Sequence, residues 1–447
     1  MRIPARQSQS TRTTEMPPDA VTYLPIAVVG IWRWSVWLGK LCVARLYSPY
    51  SVSDEALSML SEFDVSIVTP VYRPDTDEFM SAVRSWHATD PHEIIVVIDA
   101  GDTEVIRRFR EYADDHDDIS CVVTPKPGKR PALVDGVRLT SGDIVALVDD
   151  DVKWRPSTKH EFLKPFLDRN VGAVNPQQKV DQQRTVPQRL YEVQMRLQFA
   201  IDYPALSHVS RSLSCVSGRT AVYRREALLP VIDGLTDETF LGKEVISGDD
   251  KYLTRAVQRS GWDAVYQSTS IVDIGAIPDV RQFFSQIVRW TRNTIRSDIK
   301  AFSERWIFER KWLAYYTLDR FVATFAILMA PVYFTLSLSR SAFLVSSAIL
   351  LWWFISRSFK MFPFLHEYPK RLHYVPLYTL SSFVSSPIYL YALYSANTQG
   401  WLTRGDDSRY GFDQFRQKAV TTLSVILAFA TIICFIYILL LVKYETV

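Results

Sequence analysis

Hydrophobic positions fall into two regimes along the chain. From about residue 60 to 277, short apolar runs rich in β-branched residues alternate with charged stretches. DVSIVTPVYRP (64–74) is such a run, closed by turn residues, and predicts a buried strand. Residues 77–89 predict a helix, HEIIVVIDAGD (92–102) a second strand ending at Asp99, and residues 103–115 a charged amphipathic helix. SCVVTPKPGKRPALVDGVRLTSGDIVALVDDDVKW (120–154) continues as strand, loop, helix and strand. Strands alternating with helices predict a mostly parallel α/β sheet. Ligands of such sheets sit beyond the carboxyl ends of the strands, where Asp99 and Asp149-Asp150-Asp151 fall.

The second regime is long and apolar. Residues 318–339, 341–359 and 419–442 are each long enough to span a bilayer, and almost no loop separates the first two. Residues 23–47 form a weaker membrane helix, interrupted by Arg33 and Lys40 and carrying Trp32, Trp34 and Trp37, which suit an interface. It is too long and too aromatic for a signal peptide. Residues 373–396 are Ser-rich and contain Pro387, so an interfacial, re-entrant or spanning segment fits. The chain divides into an N-terminal tail (1–22), the membrane or anchoring helix (23–47), a cytosolic domain (60–277), amphipathic interfacial helices (278–316) and a membrane region (317–443). Arg357, Lys360, Lys370 and Arg371 flank one loop, which the positive-inside rule assigns to the cytoplasm. Counting back two spans puts residues 50–317 on the same side and the N-terminus outside, against the mild pull of Arg2, Arg6 and Arg12.

Composition narrows the partners. A net charge of +3 over 447 residues gives no basic surface for nucleic acid. Cys42, Cys121, Cys215 and Cys434 have no zinc-ligand spacing and no disulfide framework, and no N-x-S/T sequon occurs. Both features fit a large domain facing the cytosol.

Three polar clusters carry candidate chemistry. Adjacent carboxylates at a strand end repel one another, and burying them is costly unless a cation or hydrogen bonds compensate. Mg2+ or Mn2+ holding a diphosphate is one such compensation. Strand alternation would set Asp149 and Asp151 on one side and Asp150 on the other, and a solvated acidic turn is the plain alternative. In GKRPALVDG (128–136), Lys129 and Arg130 open a helix whose backbone N–H groups also favour anions. SGDDKYLTR (247–255) caps a helix starting near Lys251, or frees one carboxylate to act as a base.

The order of these parts is specific. Asp99, Asp149-x-Asp151, Gly248-Asp249-Asp250 and Gln286-x-x-Arg289-Trp290 lie in one α/β domain flanked by membrane helices. The pattern resembles the processive family 2 glycosyltransferases, which include hyaluronan, cellulose and chitin synthases, and covers about residues 60 to 415. SCVSGRTAVYRREAL (214–228) is similar to the hyaluronan synthase segment lining the acceptor site, and ANTQGWLTRGDDSR (396–409) to that family's gating loop, with Leu402 where the family has glycine.

The resemblance implies a cytosolic glycosyltransferase-A-like α/β domain with a mostly parallel sheet, interfacial helices and an α-helical transmembrane region. It implies a UDP-sugar donor, a growing glycan acceptor, a bilayer around the helices and no nucleic acid. Asp99, Lys129, Arg130 and Asp149 would hold the nucleotide, and Asp151 with Asp149 the Mn2+ or Mg2+. Asp250, beside Asp249, would be the general base of an inverting transfer. Gln286, Arg289 and Trp290 would meet the diphosphate and the acceptor, with Cys215, Ser217 and Gly218 at the acceptor site. Trp401, Thr403 and Arg404 in a gating-like loop (397–410) would close over the donor. Transfer of one sugar to a lipid, as in ceramide glucosyltransferase, shares much of this signature. Dolichyl-phosphate sugar synthases lack the Gln-x-x-Arg-Trp helix, and a transporter or scaffold with a degenerate domain would not need every carboxylate.

Overall fold

The computed structural model of the chain describes residues 18–126, 128–398 and 414–444. Ten strands form among these residues: β1 (Val65–Val71), β2 (Glu93–Asp99), β3 (Ile119–Thr124), β4 (Ile144–Val148), β5 (Lys153–Trp154), β6 (Val171–Val180), β7 (Thr220–Arg224), β8 (Thr239–Phe240), β9 (Lys243–Glu244) and β10 (Asp263–Ile274). Eight join one sheet in the order β3-β2-β1-β4-β7-β6-β10-β5, and β8-β9 is a separate ribbon. β1 pairs in parallel with β2 and β4, β2 with β3, and β6 with β10. β7 runs against both β4 and β6. The sheet is therefore mostly parallel, with one reversed strand, β7, near its middle and a second, β5, at its edge against β10.

Helices cover both faces of the sheet, which is why β4 reads as a continuous apolar run and is buried throughout. On one face lies the helix Thr76–His87. It begins where Asp75 accepts from the N–H groups of Asp77 and Glu78, at 3.1 and 3.0 Å, and it buries Phe79, Met80, Val83 and Trp86. The Trp86 indole donates to the Val152 carbonyl at 2.7 Å. That bond anchors the turn after β4. On the other face the helix Lys129–Arg138 packs so tightly that a Cβ at Gly136 would stand 2.5 Å from Val68 Cγ1. The close approach holds Lys129 at the carboxyl ends of β1 and β4.

Beyond the sheet, the helix Val280–Ser303 leads toward the apolar region. Among the described residues, three helices are long and apolar enough to cross a membrane: Leu24–Leu46, Lys311–Ser339 and Ala419–Ile438. Phe343–Lys360, overlapping the expected span 341–359, packs on Lys311–Ser339 but falls outside that group. Residues 375–394 form one continuous helix through Pro387. Its serines do not present free hydroxyls: Ser381 and Ser382 donate to the Tyr378 carbonyl, Ser385 to that of Ser382, and Ser386 to that of Thr324. Arg33 and Lys40, which interrupt the first apolar stretch, converge on Asp319, whose side chain is buried. Charges at such depth are tolerated when paired with one another.

Candidate active site

A cavity of about 600 Å3 opens at the carboxyl ends of β1, β2 and β4. The turn residues that close these strands supply one wall, with Asp99, Asp149, Asp150 and Asp151. Lys129 enters from its helix. Its Nζ lies 2.6 Å from Asp149 Oδ1 and 3.0 Å from Asp249 Oδ2, so one ammonium bridges two acidic runs 100 residues apart in sequence. Burial disfavours the ammonium, but the charges of Asp149 and Asp249 outweigh it and raise its pKa.

The opposite wall is built from the loop before β7 and the helix Asp249–Arg259. Gly248 precedes that helix at φ +87°, a left-handed conformation that glycine adopts readily, and a Cβ there would meet the Asn293 side chain at 3.0–3.3 Å. Asn293 Oδ1 also accepts from the Ser247 hydroxyl at 2.9 Å. Asp249 is buried, yet Lys129 and Arg130 overcome that burial and hold its pKa below the usual range. Asp250 behaves oppositely. Burial, then the neighbouring Asp249 charge, push its pKa up. Its Oδ2 lies 3.4 Å from Cys215 Sγ, and Oδ1 accepts from the Lys251 N–H at 2.8 Å. Burial, then Asp250, raise the Cys215 thiol, so Cys215 stays neutral beside the carboxylate. Ser217 is fixed by its N–H donating to Asn175 Oδ1 at 2.8 Å, and a Cβ at Gly218 would touch Asp249, Lys129 and Asp250 at 3.4–3.5 Å. A carboxylate with a raised pKa beside open space can accept a proton from a bound hydroxyl.

Gln286, Arg289 and Trp290 all face the cavity from the helix Val280–Ser303, whose start is capped by the Asp279 carboxylate accepting from the Gln282 N–H at 2.8 Å. Arg289 is desolvated, which lowers its pKa. One turn on, Arg292 donates to Ser395 Oγ at 2.9 Å and to the Tyr391 hydroxyl at 3.1 Å, and two turns on Arg296 donates to the Ala396 carbonyl at 2.9 Å. One helix thus ties the acidic pair to the end of the helix Val375–Tyr394.

Two expectations need correction. Arg130 does not face the cavity. It is 3% exposed and donates to Glu238, at 2.9 Å, and to the Leu235 and Ser247 carbonyls. Glu238 also pairs with Arg255 and Lys300, at 2.8 and 3.0 Å. Burial alone would raise the Glu238 pKa, but these cations hold it down at about 2. Arg130 is a structural link, because an unpaired Glu238 in that interior would be costly. Strand alternation also does not sort the three aspartates: β4 ends at Val148, the run is a turn, and all three line the cavity. Trp401, Thr403, Arg404 and Leu402 lie outside the described residues.

Several lining residues were not singled out from sequence: Tyr72, Gln178, Tyr191, Arg219 and Asn293. Arg219 directly follows Ser217-Gly218, which was a usable signal. Gln178 sits inside the apolar strand β6, where a buried polar residue was the only hint.

Residues 78–293 match a family model described as glycosyltransferase like family 2. Residues 78–293 form a domain similar to the family 2 glycosyltransferases. This transferase is hyaluronan-synthase-like: it is 27% identical over 399 residues to a hyaluronan synthase of Streptococcus pyogenes, covering 85% of this chain and 91% of that protein. It is 25% identical over 428 residues to a type 2 glycosyltransferase of Pyricularia oryzae, covering 88% and 87%. Its fold matches that of a mannosyltransferase from Pyrobaculum calidifontis, solved in complex with GDP-Man and Mn2+, with a TM-score of 0.56, 18% identity, and 83% and 98% of the two chains covered.

Proposed function

We propose that this transferase polymerises sugar from a UDP-sugar into a β-linked polysaccharide and extrudes it through a membrane it crosses several times, with the catalytic domain in the cytoplasm. The observation that carries the reading is Asp250: a carboxylate with a raised pKa, 3.4 Å from Cys215 Sγ, sharing one cavity with Lys129, Asp149 and Trp290. Asp250 takes the proton of the acceptor hydroxyl. The acceptor oxygen then bonds to the anomeric carbon on the face opposite the departing diphosphate, the C–O bond to phosphate breaks, and UDP leaves with its electron pair. The configuration inverts. Asp249, neutralised by Lys129, orients the pair and raises the basicity of Asp250. Arg289 meets charge on the leaving diphosphate. Gln286 and Trp290 hold the acceptor sugar, with Cys215, Ser217 and Gly218 beside it. Asp99, Lys129 and Asp149 hold the nucleotide.

Metal use rests on the donor set. Among the described residues no three His, Cys, Asp or Glu side chains gather as a metal-binding group. Asp151 and Asp149 on the turn after β4 fit a hard divalent cation, Mn2+ or Mg2+, that completes its shell with phosphate oxygens. Bound there, the cation would offset charge on the leaving diphosphate. The Mn2+ in the Pyrobaculum mannosyltransferase complex supports this reading.

The test uses membranes containing the protein, Mn2+ or Mg2+, and radiolabelled UDP-sugars singly and in pairs, with Asp250→Asn as control. Large aqueous product that vanishes in the variant is expected, and the donors required name the polymer. A small solvent-extractable product would replace the reading with single transfer to a lipid. Loss of nucleotide binding together with absent transfer would overturn it as an enzyme.

A further inference from the structure

Behind the acidic pair lies a second, much smaller cavity of about 10 Å3. It shares Lys129, Asp149, Asp249 and Asp250 with the large one and adds Tyr223 from β7. Such a volume holds about one water molecule. Tyr223 is 0% exposed, and its hydroxyl has no hydrogen-bond partner among the described residues. Burial raises its pKa well above the ordinary tyrosine value, so the phenol keeps its proton and stays a donor. The Thr254 hydroxyl acts on it from nearby, but that hydroxyl already donates to the Asp250 carbonyl at 2.6 Å and accepts from the Val216 N–H at 2.8 Å. Buried tyrosine hydroxyls usually find a partner. Phenylalanine would fill the same space without needing one.

A buried water needs about two to four polar partners, and this cavity supplies them. The phenol can donate to the water. The water can donate in turn to the carboxylates of Asp249 and Asp250. Lys129 Nζ has a third N–H beyond the two facing Asp149 and Asp249. We propose that the small cavity is a water site, and that Tyr223 acts through this water as a positioning residue for Asp250. The phenol fixes the water, and the water fixes the carboxylate from behind, so that it stays aimed into the large cavity where the acceptor hydroxyl arrives. The proposal rests on the reading of Asp250 as the base and adds the group that orients it. Tyr223 makes and breaks no bond to substrate.

A donor behind a carboxylate also favours its charged form. The water site thereby limits how far burial and Asp249 push Asp250 toward protonation. Asp250 is faced by Asp249 and Lys251 from its own helix, by Lys129, Cys215, Tyr203 and Arg289 from four other segments, and by Tyr223 from β7. Tyr223→Phe removes one oxygen from that set and keeps the ring.

The test uses the full-length protein with the UDP-sugars that support transfer in the assay above. In Tyr223→Phe the acid limb of kcat should move up by about 0.5–1 pH unit, the size of one net hydrogen bond to the charged form. Below the limb kcat should be roughly three- to tenfold lower, and well above it the two proteins should agree within about twofold. UDP binding should also stay within about twofold, which reports that the variant is folded. A density map of the wild type that resolves ordered water should show a peak within hydrogen-bond distance of the Tyr223 hydroxyl, and this result stands whether or not the variant folds. Coincident limbs, an equal loss of kcat at every pH, or a wild-type map without that peak would overturn the role of Tyr223, with Asp250→Asn still inactive. Near-normal turnover in Asp250→Asn would instead overturn the reading of Asp250 as the base.

Discussion

The cavity has two acidic walls, and they are not equivalent. Asp149-Asp150-Asp151 follows a strand and forms a turn, with Asp151 exposed. Asp249 and Asp250 open a helix, and burial works against the charge of both carboxylates. Lys129 touches one member of each run. On the turn, solvent and space remain for further cations. At the helix, the single ammonium is committed to Asp249, and Asp250 is left as the carboxylate that holds its charge least willingly. Two runs of like composition thereby receive different chemistry from burial and from one shared lysine.

The largest test of that contrast is Asp250→Asn against Asp151→Asn. Asparagine at 250 keeps the shape and cannot accept the proton, so transfer should fall by roughly 10^2–10^4 while UDP still binds. At 151 the loss should be relieved in part by raising the Mn2+ concentration, which Asp250→Asn should ignore. Steady-state rates across a metal titration distinguish them. An Asp250→Asn protein retaining near-normal turnover would remove the difference between the walls.

Lys129→Met cuts the bridge itself. Its charge lowers the pKa of both Asp249 and Asp250. Without it, the acid limb of the rate profile should move to higher pH. In the wild type that limb should already lie above the ordinary aspartate value of about 3.9, since the raised Asp250 pKa means the base is protonated, and activity lost, as pH falls through it. A profile of kcat/KM from pH 4 to 9 on both proteins measures the shift, and coincident limbs would argue against Lys129 as the regulator of the pair.

Stability effects come next in size. Glu238→Gln strips the counterion from Arg130 and Arg255 and should cost roughly 3–5 kcal/mol, read as a lowered Tm in detergent. The sign follows from the depressed pKa. Stability from Glu238 is fully present above the unfolded carboxylate value of about 4.3 and is lost as pH falls toward about 2. Gly248→Ala should cost about 1–3 kcal/mol from backbone strain, with activity falling further because the added Cβ displaces Asn293 and the acidic pair with it. Smallest of all, Arg138→Ala breaks only the exposed pair with Asp233 and should change Tm little, within about 1 kcal/mol.

Sequence made some of this legible and hid the rest for physical reasons. Strands β1, β2 and β4 and the acids at their ends were readable because both faces of the sheet are covered, so apolar runs stop sharply where the cavity begins. Gln286, Arg289 and Trp290 were readable because one helix turn brings them to one face. Lys129 and Arg130 could not be told apart: neighbours in the first turn of a helix point in different directions, and what decides which faces the cavity is Glu238, 108 residues further on. Gln178 was hidden in a strand for the same reason, since its exposure depends on what lies beyond the strand end. The serines near Pro387 bond through their hydroxyls to backbone carbonyls, an outcome that composition alone does not distinguish from a polar lining.

The buried charge cluster at Asp319 has a consequence for how the chain is made. Arg33 and Lys40 leave the ribosome long before their partner: Asp319 lies 286 residues after Arg33. At roughly 5–20 residues per second, the first helix waits on the order of 15–60 s for the carboxylate that pairs with Arg33, while Lys40 meets its other partner, Asp202, sooner. During that interval it cannot settle as it does in the finished protein. Final seating of the N-terminal helix is thus a late event in biosynthesis, timed by the arrival of residue 319, after the whole α/β domain has already been translated.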